Sequence, residues 1–322
     1  MYLLNRSVRP DTLGFSVQNE TGEPRYTRRV RCIVAGIAVA SALLAQSPSP
    51  PPPEAQDLLE ALARTAGLFA RTAPLLGARE TLEQRARRGD MQVLRRGRNN
   101  ELKEIAFQVP EFFETHEVVS DYTMGAAGTS GGFHEIRRTL EIDKVAPAPG
   151  SQPRHALTLG VDAENDTKKR LLESLELERL EGAATDFGPL LLLFTEARQR
   201  DTKFSVGGRG SVAGENGWGL RYRQTAGAAS VTEFRNSREV KHMPEGQVWF
   251  RERDLLPLRI TLNTEEMLTP RYILRNEAEV EYRPTPFGLA PQLVTHRQYL
   301  NDELLVENRF RYSDYRGLEI QP

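Results

Sequence analysis

The alternation of apolar and polar residues is most regular in the C-terminal half of the chain. In the stretch NEAEVEYR, Ala278, Val280 and Tyr282 fall on one side of an extended strand, and three glutamates fall on the other side. A period of two residues predicts a strand with one face buried and the other in water. Weaker forms of the same pattern predict further strands in WGLRYRQ, SVTEFRN, GQVWFRERD and LPLRITLN.

Two pairs of strand-like segments predict hairpins. LVTHRQYL and ELLVENRFRY flank Asn301 and Asp302, which suit a two-residue turn. Earlier in the chain, HEVVSDYTM and HEIRRTLEIDKV flank the glycine-rich segment GAAGTSGG. This first hairpin would allow His116 and His134 to face each other across its strands, an arrangement more typical of packing than of a site.

A helical period replaces the alternation in two places. Residues 54–72 place an apolar stripe on one helix face and end before Pro74, so we expect a helix packed on a sheet. The second place is a helical insertion near 166–200. There Asp166 or Thr167 can cap a helix through KKRLLESLELERL, and Pro189 suits the first turn of a second helix, PLLLLFTEARQR. The stripe of the first helix consists of Leu58, Leu62, Ala66 and Phe69.

About eleven strands are predicted in all, and most of them follow one another without a long crossover. Such an order favours antiparallel pairing over a doubly wound sheet. The expected fold class is therefore α+β: a large, mostly antiparallel twisted sheet or an unclosed β-barrel with covering helices.

Residues 28–53 have the order of an export signal, although they begin well inside the chain. Three arginines precede a thirteen-residue uncharged apolar run at 33–45, and a Ser/Pro-rich stretch follows. This run is too short for a membrane-spanning helix, which needs ~20 apolar residues. We therefore expect a cleaved signal peptide at 28–45, a proline-rich linker at 46–53 and a single β-rich domain at 54–322.

Residues 1–27 are polar and show no sustained helix or strand period. They are expected to be a disordered extension, or to be untranslated if synthesis begins at Val30, which a bacterial gene can read as an alternative start. With a cleaved signal, the protein is expected to be periplasmic or secreted and to keep no stable membrane anchor.

Charge excludes some classes of partner. Removal of residues 1–45 leaves 37 Lys+Arg and 41 Asp+Glu and no cysteine, because the single cysteine, Cys32, lies in the removed part. A slightly acidic domain has no electrostatic footprint for nucleic acid. Without disulfides, an exported domain of this length has to depend on its apolar core.

Several short strings suggest chemistry, but each has a structural explanation. Ser130 lies in a G-x-S-x-G string without the strand-to-helix context that a nucleophile requires, so a hairpin loop is favoured. Asp162, Glu164, Asp166 and Glu173 have calcium-loop spacing, yet glycine is missing at the sixth position and helix capping is favoured. The five histidines show no metal-ligand spacing. No catalytic residue, metal ligand or cofactor is predicted.

The stretch VWFRERDLLPLRITL, followed by AEVEYRPTPFGLAPQLVTHRQYLNDELLVENRFRYSDYR, carries a resemblance. Together with the signal, the first helix and the helical insertion, it resembles the periplasmic lipoprotein-carrier superfamily that includes LolA, LolB and RseB. The likeness covers mainly 202–316 and lies in the rhythm of strands. An uncharacterised exported bacterial family is an equally good description.

The resemblance implies an unclosed β-barrel that holds acyl chains between its sheet and its helices. The hypothesis is then a non-enzymatic periplasmic carrier or sensor of a lipid or lipoprotein ligand. Two alternatives remain: a protein-binding cell-envelope module with a solid core, and a hydrolase that depends on Ser130. The candidate lining residues of the carrier are Tyr222, Phe234, Trp249, Phe250, Tyr282 and Phe310.

Overall fold

The structure is a computed structural model. It describes residues 53–87, 92–95, 105–108, 111–127, 132–148, 157–161, 184–227, 230–235 and 238–318. The predicted signal peptide, nearly all of the proline-rich linker and the helix predicted through KKRLLESLELERL lie outside these residues.

Helix α1 spans Ala55–Thr72, as the apolar stripe predicts. Its start is fixed by a reciprocal cap, in which the Glu54 amide donates to Asp57 Oδ2 at 3.1 Å and the Glu54 side chain accepts from the first turn. All four stripe residues are buried, with at most 1% of their surface exposed. A short 3-10 turn at Ala73–Leu75 contains Pro74 and leads the chain into the first strand.

Sixteen strands occur in the described part of the chain, and ten of them form one antiparallel sheet. The order in this main sheet is β5-β4-β1-β16-β15-β14-β13-β12-β9-β8. Its edge strands β5 and β8 do not pair with each other, so within the described residues the sheet is not closed. The strands are β1 Leu76–Arg87, β2 Gln92–Arg95, β3 Ile105–Gln108, β4 Phe113–Ala127, β5 Gly132–Ile142, β6 Leu157–Val161, β7 Ala184–Asp186, β8 Thr202–Val212, β9 Glu215–Gln224, β10 Val231–Arg235, β11 Arg238–His242, β12 Glu245–Arg251, β13 Pro257–Thr269, β14 Tyr272–Thr285, β15 Gly288–Leu300 and β16 Glu303–Gly317.

The α+β class with a large unclosed antiparallel sheet is confirmed. More strands are present than the eleven expected, because short strands also build two small sheets. One small sheet has the order β11-β10-β6-β7, and its β6 and β7 are parallel; the other is the β2-β3 hairpin. Strands of three to five residues are too short to show a period-two pattern of their own.

The second predicted helix is confirmed in place but not in type. Residues Gly188–Phe194 form a 3-10 helix, hereafter the 188–194 segment, and a single α-helical turn, α2, follows at Glu196–Gln199. Pro189 has non-helical φ and ψ of −81° and 17°, and Thr195 is extended. These two residues prevent one continuous α-helix.

The hairpins are confirmed, but the predicted pairing of two histidines is wrong. In the β4-β5 hairpin His134 lies opposite Gly125, whereas His116 lies opposite Gln84 of β1. Strand β5 ends at Ile142, opposite Val118, before the register reaches His116. In the β15-β16 hairpin, Asn301 occupies the turn with a φ of 54°, a left-handed conformation that asparagine tolerates.

Helix α1 and the 188–194 segment cover one face of the main sheet, which we call the inner face. Their leucine and phenylalanine side chains form one buried cluster with the inward residues of the strands. Gln199 of α2 links the two covering elements, since its Nε2 donates to the carbonyls of Leu59 and Phe194, both at 3.1 Å. The core therefore lies between the sheet and these two elements.

Candidate functional site

An apolar band runs across the inner face from strand to strand. Each member lies directly opposite the next in the sheet register, so the band crosses eight adjacent strands. All of its side chains are buried, with at most 1% of their surface exposed. In the order of the strands, the members are Val118, Leu82, Phe310, Val294, Val280, Ile260, Val248 and Leu220.

The covering elements fill the space above this band. The ring of Phe69 in α1 meets Tyr282 edge-on at 5.9 Å between centroids, and Phe194 meets Tyr222 edge-on at 4.8 Å. The Tyr282 hydroxyl donates to the Gly188 carbonyl at 2.9 Å and accepts from the Leu191 amide at 3.1 Å. One tyrosine side chain therefore fixes the backbone of the 188–194 segment to the sheet.

Four of the six predicted lining residues come together on the inner face. Tyr222, Phe250, Tyr282 and Phe310 all belong to the core cluster and expose 4%, 0%, 2% and 1% of their surface. Trp249 is separated from them, because neighbouring strand residues point to opposite faces. It lies on the outer face, where the Arg259 guanidinium is 5.3 Å from its ring centroid. The side chain of Phe234 lies outside the described part of the chain.

A polar band lies beside the apolar band on the same buried face, and the sequence analysis did not predict it. Gln84, Asn308 and His296 are cross-strand neighbours on β1, β16 and β15, and Asn276 and Thr264 continue the band on β14 and β13. None of the five exposes more than 3% of its surface. Five neighbouring strands thus each contribute one polar side chain to the core.

Hydrogen bonds connect four members of the polar band in series. Gln84 Nε2 donates to Asn308 Oδ1 at 2.8 Å, Asn308 Nδ2 lies 3.3 Å from His296 Nδ1, and His296 Nε2 lies 3.3 Å from Asn276 Oδ1. Each of these hydrogen bonds joins a donor to an acceptor when His296 carries its proton on Nε2 and accepts at Nδ1. The fifth member, Thr264, has a buried hydroxyl with no hydrogen-bond partner among the described residues.

Burial keeps the imidazole of this band neutral. It lowers the pKa of His296 from 6.5 to about 4, and the negative charge of nearby Glu233 opposes that shift. The ring of Phe187 covers it at 5.7 Å between centroids. The polar band therefore presents neutral donors and acceptors at pH 7.

A group with metal-ligand chemistry borders the polar band. His242 Nε2 lies 3.1 Å from Glu233 Oε2, and these side chains expose only 6% and 5% of their surface. Glu266 of β13 joins them, so that one ligand atom from each residue falls within 4.8 Å of the other two. Spacing along the sequence gave no sign of this group because its members come from three strands.

A buried ionic cluster lies at the other side of the apolar band. Arg137 Nε pairs with Glu80 Oε1 at 2.7 Å and its terminal nitrogen pairs with Glu135 Oε2 at 2.8 Å. The Tyr122 hydroxyl donates to Glu135 Oε1 at 2.7 Å. Burial, and next the Glu135 charge, raise the pKa of Tyr122 well above its ordinary value. A methyl group at Gly188 would collide with Glu135 Oε1, so the 188–194 segment starts directly against this cluster.

The outer face carries a separate groove of about 500 Å³ near the β8 edge. Three basic side chains line it, Lys203, Arg221 and Arg223, and Arg223 pairs with Glu245 at 2.6 Å. The hydroxyl of Tyr222 donates to the Thr261 carbonyl at 2.8 Å beneath it. This groove shares Tyr222 with the predicted lining residues but contains none of the polar band.

The strings that suggested catalysis are not among the described residues. Ser130 and the calcium-type residues at 162–173 lie outside the described residues. None of the helices in the described ranges combines the length and apolar character needed to span a bilayer.

No protein-family model and no curated protein matches the chain. Among solved structures, it is similar to a DUF1329 family protein from Desulfovibrio piger, with a TM-score of 0.38 and 10% identity over 83% of this chain and 94% of that one. It is also similar to an outer membrane lipoprotein-sorting protein domain from Vibrio parahaemolyticus, with a TM-score of 0.33 and 10% identity over 84% and 95% of the two chains. It is also similar to a chain of the MucA/MucB complex from Pseudomonas aeruginosa, with a TM-score of 0.20 and 12% identity over 82% of this chain and 99% of that one.

At this level of similarity the structures do not assign the chain to a superfamily. Identities of 10–12% and TM-scores below 0.4 carry no information on what this chain binds. The function is therefore argued from the inner face alone.

Proposed function

We propose that this chain is a non-enzymatic binding protein of the bacterial cell envelope that holds a lipid-like ligand against its inner face. The observation that carries the proposal is the presence of an apolar band and a polar band side by side on one buried face. An acyl chain on the apolar band would gain ~0.8 kcal/mol for each methylene removed from water. The polar band would receive the polar end of the same molecule.

The polar band favours a ligand over a core that serves packing alone. Buried polar side chains cost stability unless every donor and acceptor is paired, so cores seldom contain a row of them. Here the row spans five strands, and the Thr264 hydroxyl has no partner in the described structure. A neutral row of amide, imidazole and hydroxyl groups suits an uncharged or zwitterionic polar end better than a strong anion.

The bands are covered by α1 and the 188–194 segment, so ligand entry requires these elements to move. Neither element is a strand of the main sheet, and moving them breaks none of its ladder hydrogen bonds. The Tyr282 hydroxyl supplies two of the hydrogen bonds that hold the 188–194 segment. We therefore assign Tyr282 the role of a tether that controls access to the inner face.

Uptake of a fluorescent monoacylglycerol, whose polar end is uncharged, by the purified protein tests this proposal. Tyr282→Phe keeps the ring against Phe69 but removes both hydrogen bonds to the segment, a loss of about 1–2 kcal/mol. We expect uptake to become faster by about five- to thirtyfold. Tyr222→Phe is the matched control, since it removes a tyrosine hydrogen bond within the sheet and leaves the tether intact.

Native mass spectrometry after incubation with phospholipid identifies what is bound. A complex of one protein with one lipid supports the carrier or sensor function. A protein that stays free of lipid, with no probe uptake in wild type or in Tyr282→Phe, would show that the inner face is closed packing.

The second candidate, an envelope module with a solid core that binds a protein partner, is favoured by one observation. Four predicted lining residues expose at most 4% of their surface, as they would in a fully packed core. This function would place the binding surface on the outer face. It predicts that a partner protein still crosslinks to the chain after substitution of Tyr282. Substitutions outside the core should abolish this crosslinking.

A further inference from the structure

We propose that Glu233, His242 and Glu266 form a binding site for one divalent transition-metal ion, best matched by Zn²⁺. The inference does not require the lipid function proposed above, because its three ligand residues belong to neither the apolar band nor the polar band. It shares only Thr264 with the polar band.

The topology brings the three residues together from two sheets. Glu233 and His242 lie on the paired strands β10 and β11, where the register sets His242 opposite Val231 and therefore diagonal to Glu233. Glu266 lies on β13 of the main sheet. An ion held by all three would join the small sheet to the main sheet.

The distances suit a metal that takes few ligands. Donor atoms bound to one Zn²⁺ at 2.0–2.1 Å with tetrahedral angles lie about 3.4 Å apart. His242 Nε2 and Glu233 Oε2 are 3.1 Å apart, and one ligand atom from each of the three residues lies within 4.8 Å of the other two. A small rotation of the Glu266 side chain, which is half-buried, completes the three-ligand arrangement.

The donor types select the class of ion. Imidazole nitrogen is a ligand for zinc and its transition-metal neighbours, whereas calcium and magnesium require oxygen ligands in larger number. Two carboxylates balance the charge of a divalent ion. The burial of Glu233 and His242 shields that interaction from water and strengthens it.

Thr264 provides a second observation at the same place. Its side chain is 3% exposed and lies two residues before Glu266, hence on the same face of β13. Its hydroxyl has no hydrogen-bond partner among the described residues. Three protein ligands leave a fourth position for water or a ligand group, and a hydroxyl beside the site can hydrogen-bond to that fourth ligand.

The test measures zinc binding to the full, tag-free chain after treatment with a chelator and removal of the chelator. Isothermal titration with ZnCl₂, together with native mass spectrometry, gives affinity and stoichiometry. We expect one Zn²⁺ for each wild-type chain, and a higher melting temperature with Zn²⁺. His242→Ala and Glu266→Gln should each weaken binding by more than about 100-fold, since outer-shell changes alone cost 10–100-fold.

His116→Ala is the matched control. His116 also lies between two carboxylates, Asp143 at 2.9 Å and Glu114 at 3.5 Å, but it contacts them with opposite ring nitrogens. One ion cannot use both contacts, so this variant should bind Zn²⁺ like wild type.

Three results would overturn the proposal: a wild-type chain that binds no Zn²⁺, equal binding by His242→Ala and wild type, or loss of binding in His116→Ala alone. Glu266→Gln changes a half-buried residue and preserves its shape, so it keeps the test valid if His242→Ala does not fold. Circular dichroism of each variant establishes that folding.

Discussion

Acid should destabilise this protein through His296 before it protonates most carboxylates. The folded chain holds the pKa of His296 near 4, and the unfolded chain restores it to its ordinary 6.5. As the pH falls from 6.5 toward 4, His296 binds a proton in the unfolded state but stays neutral in the folded state. The stabilising effect of a neutral His296 is complete above pH 6.5 and is lost progressively toward pH 4.

The magnitude follows from that difference in pKa. Protonation of His296 costs about 3 kcal/mol more in the folded state than in the unfolded state, at 1.36 kcal/mol for each pKa unit. Between pH 7 and pH 5 the free energy of unfolding should fall by about 2 kcal/mol through this one group. The cause is burial among neutral partners, since Asn308 and Asn276 offer no charge to stabilise an imidazolium.

Urea unfolding at pH 7, 6 and 5 measures the effect in wild type and in His296→Gln. The glutamine keeps a neutral polar side chain in the band but removes the titrating ring. We expect the variant to be less stable at pH 7 and to lose about 2 kcal/mol less than wild type on going to pH 5. Equal losses in the two proteins would refute the assignment of this proton uptake to His296.

Three further substitutions test other parts of the structure. Leu62→Ala removes a fully buried side chain of α1 and should lower the free energy of unfolding by about 2–5 kcal/mol in urea titrations. Gly188→Ala places a methyl group against Glu135, so we expect a lower melting temperature and faster uptake of the fluorescent probe as the 188–194 segment loosens; unchanged uptake would contradict the proposal that this segment covers the ligand site. Trp249→Ala alters the outer face and should leave uptake at the wild-type rate, so a large loss of uptake would place the ligand on that face.

The parts of the fold that could be predicted from the sequence depend on local signals. The alternation in β14, the stripe of α1 and the Asn301 turn each lie within a few consecutive residues, and the structure confirms all three. The register of His116 depends on where β5 ends, which is a tertiary property, and that prediction was wrong. The 188–194 segment was predicted as an α-helix because Pro189 suits a first helical turn, but the backbone angles of Pro189 and Thr195 leave the helical range.

The candidate site was only partly accessible to the same reasoning. Tyr222, Phe250, Tyr282 and Phe310 lie together in the core, and their role in lining a ligand site stays a prediction. Trp249 is adjacent to Phe250 in one strand and therefore points to the opposite face. The polar band was missed because its first bond joins Gln84 to Asn308, which are 224 residues apart. A polar residue at an otherwise apolar position of a strand, such as Asn308 between Val306 and Phe310, was the available signal.

The position of β1 between β4 and β16 has a consequence for how the chain assembles. Leu76 lies opposite Gly317, so the main sheet joins the first described strand to the last one, between its third and fourth positions. Contacts of such long sequence separation form slowly, because the loop between them must close first. Strand β16 must therefore be synthesised before this junction can form. A chain exported as proposed would thus stay open for passage through a membrane, and loss of β16 would separate three strands of the sheet from the other six instead of trimming an edge.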